Sequence, residues 1–81
     1  MIAATRTIAA ARQVLAEILR QAGIDSANAD ARLLMAHALG IDRAELMANG
    51  EPPTSTEQAK AFDVLAARRL RREPVSRIFG E

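Results

Sequence analysis

The sequence predicts an all-α fold, a small bundle of four helices followed by a short fifth helical turn. Hydrophobic residues make up 49% of the 81 residues, and many of them are alanine, the strongest helix former. Apolar residues recur at helical spacings in successive segments, and glycine, proline or capping residues separate those segments. A chain of this length forms one domain, residues 1–81, with a small core.

The first helix is expected to begin after Thr5 or Thr7, since either hydroxyl can cap it. It should end near Ala22, because Gly23 follows as a stop signal. Ile24 is then expected to fold back onto the helix end. The predicted buried stripe contains Ile8, Ala11, Leu15, Ile18, Leu19 and Ala22.

The second helix is the most apolar segment, and we expect it to be the hub of the bundle. Ser26 is its predicted N-cap, and Gly40 is predicted to end it in the left-handed conformation that glycine adopts without steric cost. Asp30 is expected in its first turns, where a carboxylate suits the positive end of the helix dipole. The face predicted to be buried contains Ala31, Leu33, Leu34, Ala38 and Ile41.

A short third helix is predicted after a capping-box pattern formed by Asp42 and Glu45. It should extend to about Ala48. Leu46 and Met47 are expected to face inward from it.

A fourth helix is predicted after a proline pair, which gives a stiff connector because proline cannot continue a helix. Two overlapping capping boxes precede it, Thr54 with Glu57 and Ser55 with Gln58. The helix should extend to about Arg72. Its predicted apolar stripe contains Ala59, Phe62, Leu65, Ala66 and Leu70.

The fifth helical turn is predicted at residues 75–78, since Pro74 is well tolerated at the first position of a helix. Ile78 and Phe79 then have little chain after them against which to pack. We expect residues 73–81 to be the start of a linker to a further domain.

Composition and charge exclude several classes of protein. The net charge is +1, so no overall field attracts the chain to nucleic acid or to a membrane surface. No apolar run approaches the roughly 20 residues of a membrane span. The chain has no cysteine, which fits a reducing compartment, and we expect a cytoplasmic location.

Candidate chemical groups all have structural explanations. His37 is the only histidine, and a metal site needs three or four ligands, so a structural or surface role is expected. No glycine-rich loop follows a predicted strand, as a nucleotide site would require. The carboxylates fit helix starts or solvated faces: Asp30, Glu45, Glu57 and Asp63. The sequence therefore predicts no catalytic, cofactor-binding or metal-binding residue in this chain.

A helix-turn-helix motif is the alternative interpretation of the middle of the chain, because Ala36, Gly40 and Leu46 have moderately suitable spacing. Residues 42–49, however, contain two carboxylates against one arginine, and a net acidic helix is unsuited to lie among phosphates. The alternative function is thus a stand-alone helical interaction module or a DNA-binding module, with nucleic acid the less favoured partner.

Arginines crowd the last quarter of the chain. They either form a solvated helix end or contact an acidic partner or phosphates, since the guanidinium fork binds both bidentately. The chain has only two aromatic residues to stack bases, Phe62 and Phe79, so binding of single-stranded RNA by this domain alone is not expected. The predicted partner-binding residues are Arg68, Arg69, Arg72 and Arg77.

Two stretches together resemble the HemK/PrmC family of protein-(glutamine-N5) methyltransferases, which modify peptide chain release factors. Residues 30–40 read DARLLMAHALG and resemble the D-A-x-x-L-L segment near the start of that family. Residues 68–81 resemble its RR…xEPxxxIxGE segment, which leads from an N-terminal helical domain toward the catalytic domain. The order and spacing of the two stretches also fit, and the resemblance covers nearly the whole chain.

The resemblance implies a release-factor-docking domain of a longer enzyme that transfers a methyl group from S-adenosylmethionine. The acceptor would be the glutamine of the Gly-Gly-Gln motif in a class-1 release factor. The expected partners are that release factor and the enzyme's own catalytic α/β domain, whose Asn-Pro-Pro-Tyr motif and glycine-rich cofactor loop are not in this chain. Family members often have tyrosine or histidine where this chain has Arg77.

Overall fold

A computed structural model describes residues 7–80, and its element order confirms the predicted all-α bundle. Thr5, the alternative cap of the first helix, lies outside these residues. Within them, no helix combines the length and hydropathy needed to cross a bilayer. The helices are α1 (Ile8–Gln21), α2 (Ala27–Leu39), α3 (Arg43–Ala48), α4 (Thr56–Leu70) and α5 (Val75–Phe79).

Helix α2 is the hub that the sequence predicts, because it contacts each of the other four helices. Alanines with no exposed surface, Ala31 on α2 and Ala11 and Ala66 on its neighbours, let the helix backbones approach closely. The large side chains that fill the core are Leu15, Leu19, Leu34, Met35, Leu46 and Phe62.

The buried face of α1 largely matches the prediction. Thr7 caps the helix, its Oγ1 accepting from the backbone N–H of Ala10 at 3.1 Å. Ile18 and Ala22 are only half-buried, and Ala16 is buried instead, because α1 packs against both α2 and α4 and its buried arc extends toward Ala16. The other predicted stripe residues are buried: Ile8, Ala11, Leu15 and Leu19.

The first turn of α1 is completed by a loop far along the chain. The N–H groups of Ile8 and Ala9 donate to the carbonyls of Pro52 and Gly50, both at 2.9 Å. Gly50 permits this close approach, since a Cβ at that position would lie 2.8 Å from the Cβ of Ala9. The connector between α3 and α4 therefore serves as an external cap for α1.

Helix α2 ends as predicted, with Gly40 in the left-handed conformation at φ +70°. Ser26 occupies the N-cap position but makes no capping bond; its hydroxyl donates to the carboxylate of Asp30 at 2.8 Å. The predicted buried face is partly wrong, because Leu33, Ala38 and Ile41 are only half-buried. Because α2 packs against several neighbouring helices, its buried face is centred on other residues than those predicted. The buried residues are Ala27, Asp30, Ala31, Leu34, Met35 and Ala36.

Helix α3 begins as predicted, with the Asp42 carboxylate accepting from the N–H of Glu45 at 2.8 Å. Leu46 is buried, but the prediction that Met47 faces inward is wrong, since its side chain is 50% exposed. The physical reason is that this six-residue helix packs mainly against α2 and buries one face only.

Of the two capping boxes predicted for α4, the one formed by Ser55 and Gln58 is present. Gln58 N–H donates to Ser55 Oγ at 3.0 Å, and Ser55 N–H donates to Gln58 Oε1 at 2.9 Å. Thr54 is instead buried, and its hydroxyl has no hydrogen-bond partner among the described residues.

The far end of α4 differs slightly from the prediction. The helix ends at Leu70 rather than near Arg72, because Arg72 leaves the helical region for a φ of +68°. Its apolar stripe is confirmed in part, since Leu65 and Leu70 are only half-buried. The buried residues are Ala59, Phe62 and Ala66.

Candidate functional site

The arginine-rich end of α4 contains a buried ion pair. Arg69 Nε donates to Asp30 Oδ2 at 2.9 Å, and the two side chains are only 17% and 9% exposed. The same carboxylate oxygen accepts from Ser26 at 2.8 Å. Asp30 lies in the first turn of α2 as expected, but its carboxylate is buried rather than solvated, because it joins the start of α2 to the end of α4.

Two neighbouring arginines also make contacts within the chain. Arg68 Nε donates to the Glu73 carboxylate at 2.7 Å, in a half-buried pair. Arg72 Nη2 donates to the carbonyl of Ala22 at 2.7 Å, which places a cation at the negative end of the α1 dipole.

Arg77 is the predicted partner-binding residue whose side chain is most available. It is exposed on α5, and Arg71 is exposed at the end of α4. Neither guanidinium makes a hydrogen bond or ion pair within residues 7–80. The structure thus brings Arg68, Arg69 and Arg72 together at the end of α4 but uses them in internal contacts, while Arg77 lies on α5.

The segment after α4 packs back onto the bundle. Helix α5 contacts α2 and α4, and Ile78 is buried. The ring of Phe79 stacks on that of His37 with centroids 4.2 Å apart and an interplanar angle of 21°. Ile78 and Phe79 therefore find their partners in earlier helices, and the exposed His37 has a structural contact.

A cleft that the sequence analysis missed lies between the end of α1 and the start of α2, with a volume of about 460 Å³. Arg20, Gly23 and Arg32 are among the residues that line it, and its signal in the sequence is the glycine that follows α1. Arg20 is paired with Glu17 and donates to Asn28 Oδ1 at 3.0 Å. Throughout the described part of the chain, acidic residues and His37 form no group of three that could hold a metal ion.

Comparison with known protein families identifies the family to which this helical domain belongs. The sequence profile of the PrmC N-terminal domain matches residues 10–80, which covers all the helices except the first residues of α1. This chain belongs to the PrmC N-terminal domain family. The predicted resemblance to the HemK/PrmC family is confirmed.

Curated relatives of this PrmC N-terminal domain are named release factor glutamine methyltransferase. The protein of Cereibacter sphaeroides is 46% identical over 63 residues, covering 78% of this chain and 23% of that protein. The protein of Caulobacter vibrioides is 38% identical over 76 residues, covering 94% of this chain and 26% of that protein. The protein of Bradyrhizobium diazoefficiens is 39% identical over 75 residues, covering 93% of this chain and 25% of that protein.

The chain therefore spans about a quarter of the length of these relatives. No solved structure matches it significantly.

Proposed function

We propose that this chain is the release-factor-docking domain of a methyltransferase that methylates the glutamine of the Gly-Gly-Gln motif in class-1 release factors. The main observation that supports the proposal is the match of residues 10–80 to the PrmC N-terminal domain. Relatives that cover most of this chain carry the name release factor glutamine methyltransferase, which supports it. The enzyme would act in the cytoplasm, where its substrate works in translation termination.

The cofactor of such an enzyme, S-adenosylmethionine, would supply the methyl group from a separate catalytic domain. The residues described here do not fit a site for it. Cofactors of this kind bind in α/β domains at glycine-rich turns between a strand and a helix. Residues 7–80 contain no strand, and Gly23 and Gly40 lie at helix ends. The role proposed for this chain is therefore to bind the substrate, while a separate catalytic domain transfers the methyl group.

A docking domain can accelerate a reaction without touching the reacting atoms. Binding energy from contacts remote from the glutamine can hold that side chain in the orientation needed for attack. Loss of the domain should therefore lower kcat/KM of the enzyme.

We place the docking contact at the exposed arginines Arg71 and Arg77. Arginine binds carboxylates bidentately, so the matching surface of the release factor would be acidic. Arg68, Arg69 and Arg72 lie near Arg71 in the chain and could contribute only through N–H groups that their internal contacts do not use.

An NMR titration of the isotope-labelled chain with an unmethylated class-1 release factor tests this proposal. We expect localised shift changes in residues 71–80. The double variant Arg71→Glu/Arg77→Glu should bind roughly tenfold more weakly, because two exposed attractive pairs become repulsive. Arg43→Glu reverses an exposed arginine on α3 and is the matched control, which should bind like the unmodified chain.

Absence of shift changes at high concentration of release factor would contradict the docking role. Titration with duplex DNA would then test the alternative function. Shift changes that weaken steeply with added salt would indicate a DNA-binding module, since binding to phosphates releases counterions.

A further inference from the structure

The elbow between α4 and α5, residues 71–74, has a backbone conformation that needs external support. Arg72 has a φ of +68°, and it is the non-glycine residue in the left-handed region within residues 7–80. Side chains with a Cβ adopt this conformation with difficulty, so it persists only where the surrounding contacts determine it. The contacts around Arg72 should therefore explain why the chain turns here.

The side chain of Arg72 ties the elbow to the first helix. Its Nη2 donates to the carbonyl of Ala22 at 2.7 Å, at the C-terminal end of α1. A hydrogen bond from a charged donor is among the stronger ones in proteins. The left-handed backbone at Arg72 accompanies this hydrogen bond, in which the guanidinium reaches the end of α1.

The side chain of Arg69 ties the elbow to the second helix. One part of its guanidinium, Nε, pairs with the buried carboxylate of Asp30 at 2.9 Å. Another part, Nη1, lies 3.5 Å from the carbonyl of Glu73, to which it donates. The planar fork of arginine makes both contacts at once in a fixed geometry.

Beyond the elbow, α5 is seated on the bundle. Pro74 is the N-cap of this helix, Ile78 is buried, and the ring of Phe79 stacks on that of His37 at 4.2 Å. The elbow and α5 are thus connected to α1, α2 and α4 at separate points. Rotation of α5 about the elbow would break contacts at both of its ends.

We propose that Arg69 and Arg72 are positioning residues, which hold the elbow in one geometry and so fix the direction in which the polypeptide leaves the bundle after α5. The inference rests on the proposed function, in which a docking domain precedes a catalytic domain. A docked substrate is oriented for reaction only if the connection between the two domains is stiff.

The test compares two asparagine variants of the 81-residue chain by NMR. Asparagine tolerates the left-handed region better than most residues, so Arg72→Asn removes the guanidinium with little backbone penalty. Residual dipolar couplings report the orientation of α5 relative to α2 and α4. The ring-current shift of the His37 protons reports its stacking on Phe79.

In Arg72→Asn we expect α5 couplings to be reduced by motion, the His37 shift to move toward its random-coil value, and the couplings of α1, α2 and α4 to stay unchanged. Exchange of the Ile78 amide, which donates to Pro74 at 3.1 Å, should quicken roughly tenfold. Arg71→Asn is the matched control and should preserve all three readouts. Arg72→Lys should restore them in part, since it retains a cationic donor.

A second variant tests Arg69 without leaving a buried charge unpaired. Asp30→Asn/Arg69→Met removes the ion pair together with the contact to Glu73, and it should also loosen α5 while the four-helix core stays folded. Unchanged α5 couplings and an unchanged His37 shift in both Arg72→Asn and Asp30→Asn/Arg69→Met would overturn the inference. None of these measurements uses a release factor, so their outcome is independent of the docking titration.

Discussion

At the scale of single residues, Thr54 is the clearest exception to the rule that buried polar groups form hydrogen bonds. Its hydroxyl is buried and has no partner among residues 7–80. Thr54→Val keeps the shape of the side chain and removes the unpaired group. We expect the free energy of unfolding, measured in urea, to rise by about 1 kcal/mol.

The matched control for Thr54 is Thr56→Val, which makes the same change at an exposed position at the start of α4. Its effect should stay within about 0.5 kcal/mol. A loss of stability in Thr54→Val, with no effect in the control, would show that the hydroxyl is hydrogen-bonded in solution.

Asp30 shows what a sequence pattern does not reveal at this scale. Its position near the start of α2 gave it an ordinary explanation as a residue that complements the helix dipole. Its ion-pair partner, Arg69, lies in a different helix, and no periodicity links the two positions. The same holds for Arg72 and Ala22, so the internal use of the arginine cluster could not have been predicted from charge and spacing alone.

At the scale of elements, local signals in the sequence predicted most helix boundaries. Gly40 ends α2, and Ser55 with Gln58 begins α4, because these features depend on residues within one turn of each other. The inward or outward direction of Met47 depends on which helices surround α3, which is a tertiary property. The sequence therefore indicated where the helices are more reliably than which side of each is buried.

The external cap of α1 gives a prediction at this scale. Gly50→Ala would place a Cβ 2.8 Å from that of Ala9, with no flexible group able to move away. The loop should then retreat from α1, and we expect the free energy of unfolding to fall by roughly 1–3 kcal/mol. Urea denaturation of the purified variant measures it.

A double-mutant cycle separates this clash from other effects of the substitution. Ala9→Gly removes the opposing Cβ and alone costs about 1 kcal/mol through helix propensity. In combination with Gly50→Ala it should cost less than the sum of the two single changes. Simple additivity would contradict the proposed contact.

At the scale of the whole molecule, stability depends on few large side chains. Phe62 has no exposed surface, whereas Val64 on the same helix is 59% exposed. Phe62→Ala should lower the free energy of unfolding by about 3–5 kcal/mol, a large share of the total for a small domain.

Thermal unfolding followed by circular dichroism checks the prediction for Phe62. Val64→Ala is the control on the outer face of α4 and should change the free energy of unfolding by less than about 0.5 kcal/mol. A similar melting temperature for both variants would show that the bundle is not organised around the core described here.

The two carbonyls that complete the first turn of α1 also bear on the order in which the chain can fold during synthesis. They belong to Gly50 and Pro52, which a ribosome adds long after Ile8 and Ala9. A nascent chain that stops at α3 contains three helices, yet the first amides of α1 still lack these acceptors. The first turn of α1 can therefore take its final form only once the connector to α4 has emerged.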